Sequence, residues 1–237
     1  MSHKNKERSI SMKKDKLYQW CDQIWLYVLY GIGILMSCLL VLRWNDITIP
    51  SKLMYLLTIM VPLHVFEENT LPGGFFFMNN LGQKSDKPMV YPQNMLTNMI
   101  TNLGAEILFI VVLIFTDYIP NTAVVTVIVF GYAECIHHTM DGIRMYRRYA
   151  DKGKKTIYGP GIITSYEGLI QLSTYGLAWL IKQNIAASEV FAGIGIILLV
   201  AIGLILIPFM ISKRVQSKRF AFNSNGYFEK YEPMQNR

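Results

Sequence analysis

Charge is scarce in this chain. Only 16% of its 237 residues are charged, 52% are hydrophobic, and the mean hydropathy is positive. A water-soluble domain carries about a quarter charged residues, so the deficit argues for a lipid-facing surface. Cysteine is nearly absent as well. Cys21, Cys38 and Cys135 show no CxxC or metal-knuckle spacing, which leaves no disulfide framework and no zinc finger to argue. No internal repeat and no low-complexity tract stands out. No small-x-small cleavage site follows the first apolar run, although Lys13, Lys14 and Lys16 precede it; that run reads as a retained helix, not a removed signal peptide. The net charge of +7 does not point to nucleic acid, because Lys and Arg are confined to segments between and beyond the apolar blocks.

What is present is a series of apolar blocks, several near the ~20 residues needed to cross the hydrocarbon core. Six spans are predicted: Ile24–Leu42, Lys52–Phe66, Met95–Phe115, Ala123–Met140, Ile162–Ile181 and Val190–Ile211. The second is short enough to be re-entrant instead. With both termini cytoplasmic, all but Arg43, Lys52 and Lys182 of the 23 basic residues fall inside, as the positive-inside rule requires. The expected fold class is therefore all-α: a polytopic transmembrane helical bundle in a bacterial plasma membrane. A basic tail (1–23) precedes the six-span domain (24–211), and a polar, loosely ordered C-tail (212–237) follows it. The basic run Arg144 to Lys155 reads as a positive-inside signal in contact with lipid headgroups. Between the second and third spans, Leu71-Pro72-Gly73-Gly74-Phe75-Phe76-Phe77-Met78 has too many breakers to continue a helix, and its aromatic cluster suits the membrane interface.

Ionisable residues inside spans cost at least ~2.5–3.5 kcal/mol each at mid-bilayer, so each asks for a reason. In the second span His64, Glu67 and Glu68 stand at i, i+3 and i+4, on one helix face. In the fourth span Glu134, His137 and His138 repeat that spacing with the residue types reversed, and Asp141 extends the face. Asn98, Asn102 and Glu106 form a stripe on the third span, and Glu167 and Gln171 one on the fifth, with Thr164 and Thr174 nearby. The second and fourth spans descend to the cytoplasmic side and the third and fifth ascend from it. At ~1.5 Å per residue, all four stripes fall in the same half of the membrane, Glu106 deepest.

Two chemistries suit this inventory. A four-helix dinuclear carboxylate site takes a Glu-x-x-His from each of two helices and a Glu from each of two others. Glu134-x-x-His137 fits; His64-x-x-Glu67 has the reverse order, and its helix runs parallel to the fourth. Alternatively, a single zinc is held by His64, a carboxylate and His137 or His138, with Glu67 or Glu68 as base. The donor set suits zinc, iron or manganese alike. The plain alternatives are interhelical hydrogen bonding for Asn102, Gln171, Glu106 and Glu167, and simple packing for Cys135.

His64-Val65-Phe66-Glu67-Glu68, followed by Pro72-Gly73-Gly74-Phe75, resembles the HXXEE family of bacterial integral membrane proteins. His138 and the turn Tyr158-Gly159-Pro160-Gly161 resemble that family's later blocks. The resemblance implies His64, Glu67, Glu68 and His138 as a functional set and carries no established reaction. The leading expectation is a metal-dependent membrane enzyme acting on a lipid or lipid-linked substrate at the cytoplasmic leaflet. His64, Glu134 and His138 would be ligands, while Glu67 and Glu68 divide ligation and acid-base duty. With iron, oxygen chemistry on an acyl chain replaces hydrolysis. The competing expectations are a proton- or cation-coupled transporter, argued against by the lack of paired broken helices, and a non-catalytic accessory protein.

Overall fold

A computed structural model of the chain describes residues 16–233; most of the expected basic N-tail lies outside the described residues. Among the described residues there are seven helices longer than one or two turns and no strand: α1 (Lys16–Arg43), α2 (Ile49–Asn69), α3 (Phe75–Gly82), α4 (Met95–Phe115), α5 (Pro120–Tyr149), α6 (residues 162–180) and α7 (Ala187–Val215). Five of them (α1, α2, α4, α5 and α7) are long and apolar enough to cross a membrane. The protein is thus an all-helical, multi-pass membrane protein by length and composition. α2 runs 21 residues, longer than the apolar core expected from the sequence. α6 is a continuous helix of similar length, but Glu167, Gln171 and its hydroxyl residues make it more polar than the five.

Local chemistry sets the helix starts. Thr48 accepts from Ser51 N ahead of Pro50 in α2, and Asn94 and Thr97 form a reciprocal capping box at α4. Glu189 returns its carboxylate to Ala186 N at α7 (2.8 Å). α3 follows Gly74 (φ +97°), a left-handed position that suits glycine.

The core gathers around α2 and α5. Leu53, Leu57, Val61 and Val65 of α2 pack with Phe109 and Val112 of α4, Val124, Val127 and Phe130 of α5, and Leu169 and Leu172 of α6. Some 61% of the apolar window of α2 is buried, against 11% for α7. α2 is therefore an inner helix, and α7 presents Phe191, Leu198, Ile202 and Ile211 outward, as a lipid-facing helix does.

One expectation is corrected near the C-terminus. The Phe75–Met78 cluster is buried in a satellite core with Met145, Tyr149 and Phe228. The C-tail, as far as residue 233, is not loose: Phe222 stacks on Phe76 (3.5 Å between centroids), Tyr227 N donates to Gly73 O (3.0 Å), and Tyr149 donates to Glu232 (2.6 Å). Five aromatic residues between 220 and 231 give this segment enough apolar surface to fold back as a strap.

Candidate metal centre

α2 ends in His64, Glu67 and Glu68, and α5 carries Glu134 and His138 past the same level. Their side chains meet. His64 Nε2 and His138 Nε2 are 3.1 Å apart, with the rings edge to face. Glu68 Oε1 lies 3.4 Å from the first and 3.3 Å from the second. Glu134 Oε2 lies 3.6 Å from His138 Nε2 and 3.9 Å from His64 Nε2. His64, Glu68 and His138 are buried, while the Glu134 side chain is 23% exposed and reaches a cavity of about 130 Å³. Val61, Phe130, Val200 and Phe209 supply the apolar wall of that cavity.

A hydrogen-bond chain orients His64. The Thr164 hydroxyl has one proton and gives it to Glu67 Oε2 (2.7 Å), so it accepts from His64 Nδ1 (2.8 Å). That fixes the proton on Nδ1 and turns the bare Nε2 lone pair into the cluster. A carboxylate–hydroxyl–imidazole relay of this kind is what holds a metal-ligating histidine. His138 is fixed by shape instead. A Cβ on Gly161 would fall 2.1 Å from His138 Cε1, and Gly161 has φ +94°, so the ring lies directly on a backbone that only glycine permits. The ring of Phe75 covers the other approach at 4.8 Å.

The donor set suits a metal ion. Ligand atoms ~2.0–2.1 Å from a tetrahedral ion stand about 3.3 Å apart, close to the separations found here. His64, Glu134 and His138 each offer one ligand atom, all within 4.8 Å of one another.

Not every expected site residue joins. Glu67 points away from the rings: it accepts from Ile163 N (3.2 Å), Thr164 N (2.9 Å) and Thr164 Oγ1, capping the start of α6 with negative charge. Its expected role as base or direct ligand gives way to one of anchorage. His137 does not join the Nε2 pair, because neighbours on a helix diverge by about 100°; it pairs with Asp141 (3.3 Å) and lines the same cavity as Glu134. Glu167 is exposed and, among the described residues, its side chain accepts a hydrogen bond from Gln171 alone. The buried stripe of α6 runs through Ser165, Leu169, Leu172, Ser173 and Gly176, leaving Glu167 on the far face. Glu106 is fully buried, yet neither carboxylate oxygen has a partner among the described residues. The four-helix dinuclear arrangement, which needs Glu106 and Glu167, is therefore not formed. Asn102 bonds Asn98 and lines the cavity. Tyr158 stands near Glu67, and burial first, then that carboxylate, push its hydroxyl above its ordinary pKa.

Thr164 and Gly161 are the residues whose importance the sequence understates. The first reads as a nearby polar residue and the second as a tight helix start.

A family model described as "protein of unknown function with HXXEE motif" matches residues 55–176, just over half of the chain. The chain belongs to the HXXEE family. His64, Glu67 and Glu68 supply the motif, and the match also spans Glu134, His138, Gly161 and Thr164. No curated protein and no solved structure matches the chain.

Proposed function

We propose that this HXXEE-family protein binds one divalent cation through His64, Glu134 and His138 and is a metal-dependent membrane enzyme. Its substrate would be a lipid or lipid-linked molecule, reached from the cytoplasmic side of a bacterial plasma membrane. The observation that carries this reading is the convergence of two imidazole Nε2 atoms, 3.1 Å apart, with two carboxylates deep in an apolar bundle. Such a grouping is costly to bury for packing alone. When bound, zinc, iron or manganese would polarise a substrate oxygen and acidify a water.

The chain's own groups divide the remaining work. Glu68 Oε1 lies within reach of both imidazoles and is placed to accept or return a proton at that atom. Glu134 faces the cavity. Glu67 holds Thr164, and Thr164 holds His64. Apolar residues of α2, α5 and α7 form one side of the cavity, and Asn79, Gln93 and Asn102 line it as well. A proton- or cation-coupled carrier is the second reading, favoured by Glu106, buried with no hydrogen-bond partner among the described residues.

The test is elemental analysis of the purified protein together with mass spectrometry of lipids turned over in reconstituted vesicles, with and without chelator. Expected are about one metal ion per chain and lipid turnover that the chelator abolishes. Protein that retains its helicity and holds no metal after loading would overturn the proposal. Metal-loaded protein that moves protons across the vesicle membrane and converts no lipid would favour the carrier.

A further inference from the structure

A larger cavity, about 570 Å³, lies between the start of α1, the end of α2, the Pro72–Gly74 loop and the C-terminal strap. Its size suits a small molecule or the head of an amphiphile. Among the described residues, its wall carries one carboxylate, Asp22, and no Lys, Arg or His. Asp22 is half-buried and makes no hydrogen bond or ion pair with another described residue.

Two further features converge on the cavity. Asp22 stands in a π turn, Trp20–Ile24, which interrupts the regular winding of α1 where it borders the cavity; such turns recur at functional sites. Aromatic rings line the cavity too: Tyr30, about two turns further along α1 than Asp22, meets Phe66 of α2 edge-on at 5.5 Å, and Phe76 is stacked on Phe222. Neutral amides, Asn98 among them, complete the polar lining.

An anion entering this space would meet the like charge of Asp22 and no Lys, Arg or His among the described residues of the wall. A cation would gain a carboxylate and an aromatic-lined wall, the combination that recognises ammonium groups. The outer surface of α1 beside it is apolar, with Tyr27, Val28 and Ile34 exposed, so an acyl tail has a surface to follow.

We propose that this cavity binds the amine or quaternary-ammonium head of an amphiphile, with Asp22 as its counter-charge and Tyr30 and Phe66 as part of its aromatic cage. The site is independent of the metal centre, although Asn98, on its wall, donates to Asn69 (2.5 Å) and accepts from Gln93 and Asn102, which line the smaller cavity. A layer of amides thus separates the two.

The test is binding of hexyltrimethylammonium, hexyl phosphate and hexyl glucoside, at sub-micellar concentration, to the full chain in nanodiscs, read by calorimetry with and without chelator. Expected is saturable binding of the ammonium alone, weakened at least about tenfold by Asp22→Asn, and likewise by Phe66→Leu, with metal content unchanged in both variants. Chelator leaves the affinity as it was. Equal binding of the phosphate or glucoside, no ammonium binding, or full affinity in Asp22→Asn would overturn the proposal. Because the readout needs neither metal nor turnover, its failure and that of the metal centre are told apart.

Discussion

Two regions of this molecule bury basic side chains, and they hold them by opposite means. At the end of α2, the imidazoles of His64 and His138 meet Glu68 and Glu134. In the loop after α5, Lys154 is 3% exposed and meets no carboxylate of the described residues within ion-pair distance. Its ammonium lies 4.7 Å from the Tyr227 ring centroid and 5.5 Å from that of Tyr231, and donates to the carbonyl of Tyr158. Ring faces, one carbonyl and the Tyr227 hydroxyl hold that ammonium without a counter-charge. Two carboxylates around two imidazoles match a more highly charged guest. The lysine is a fastener and the histidines are a socket. Lys154 ties the strap to the loop that leads to Gly161, and Gly161 lies under the His138 ring.

The largest expected effect separates socket from surroundings. His138→Ala should reduce metal content from about one ion per chain to less than about a tenth, whereas Glu167→Gln, on the exposed face of α6, should leave it unchanged; elemental analysis of both variants checks this.

A matched pair of glycines comes next. Gly161 and Gly153 both have positive φ, at +94° and +85°, but a Cβ on Gly153 meets nothing within 4 Å. Gly153→Ala should cost about 1 kcal/mol of stability from backbone strain alone. Gly161→Ala should cost clearly more and also lose metal, because the His138 ring must move. Denaturant melts beside metal content read both effects, and equal losses would erase the distinction between the two regions.

Thr164→Val removes the hydroxyl that orients His64 and should weaken metal binding by about 10–100-fold without removing it. Competition with a calibrated chelator measures the change.

The smallest effect belongs to the fastener. Burial, and after it the nearby Lys230 charge, lowers the Lys154 pKa to about 8 from an ordinary 10.5. Between those values the unfolded chain binds more protons than the folded one, so stability should rise with pH from about 8 to about 10.5. Lys154→Met should flatten that rise, and melts across the window test it.

Much of this architecture is legible in the residues. The apolar blocks dictate helices, and the two His-carboxylate motifs sit at spacings that put each set on one face. What the sequence leaves open is aim. Glu67 and Glu68 are adjacent, and only the position of α6 decides that the first caps a helix while the second meets the rings. His137 and His138 are likewise told apart by where Gly161 comes to rest. Glu167 misleads because a polar stripe in a membrane helix ordinarily turns inward, and here Ser165, Leu169 and Leu172 take that face. The strap is hidden by averaging: its polar residues mask Phe220, Phe222 and Phe228, and Phe220 and Phe228 are buried.

X-ray absorption spectroscopy of the zinc-loaded protein tests the socket most directly. Two imidazole nitrogens at ~2.0–2.1 Å, with that imidazole scattering lost in the metal-depleted His138→Ala, are the predicted result. A spectrum of zinc surrounded by water alone, or imidazole scattering unchanged by that substitution, would contradict it.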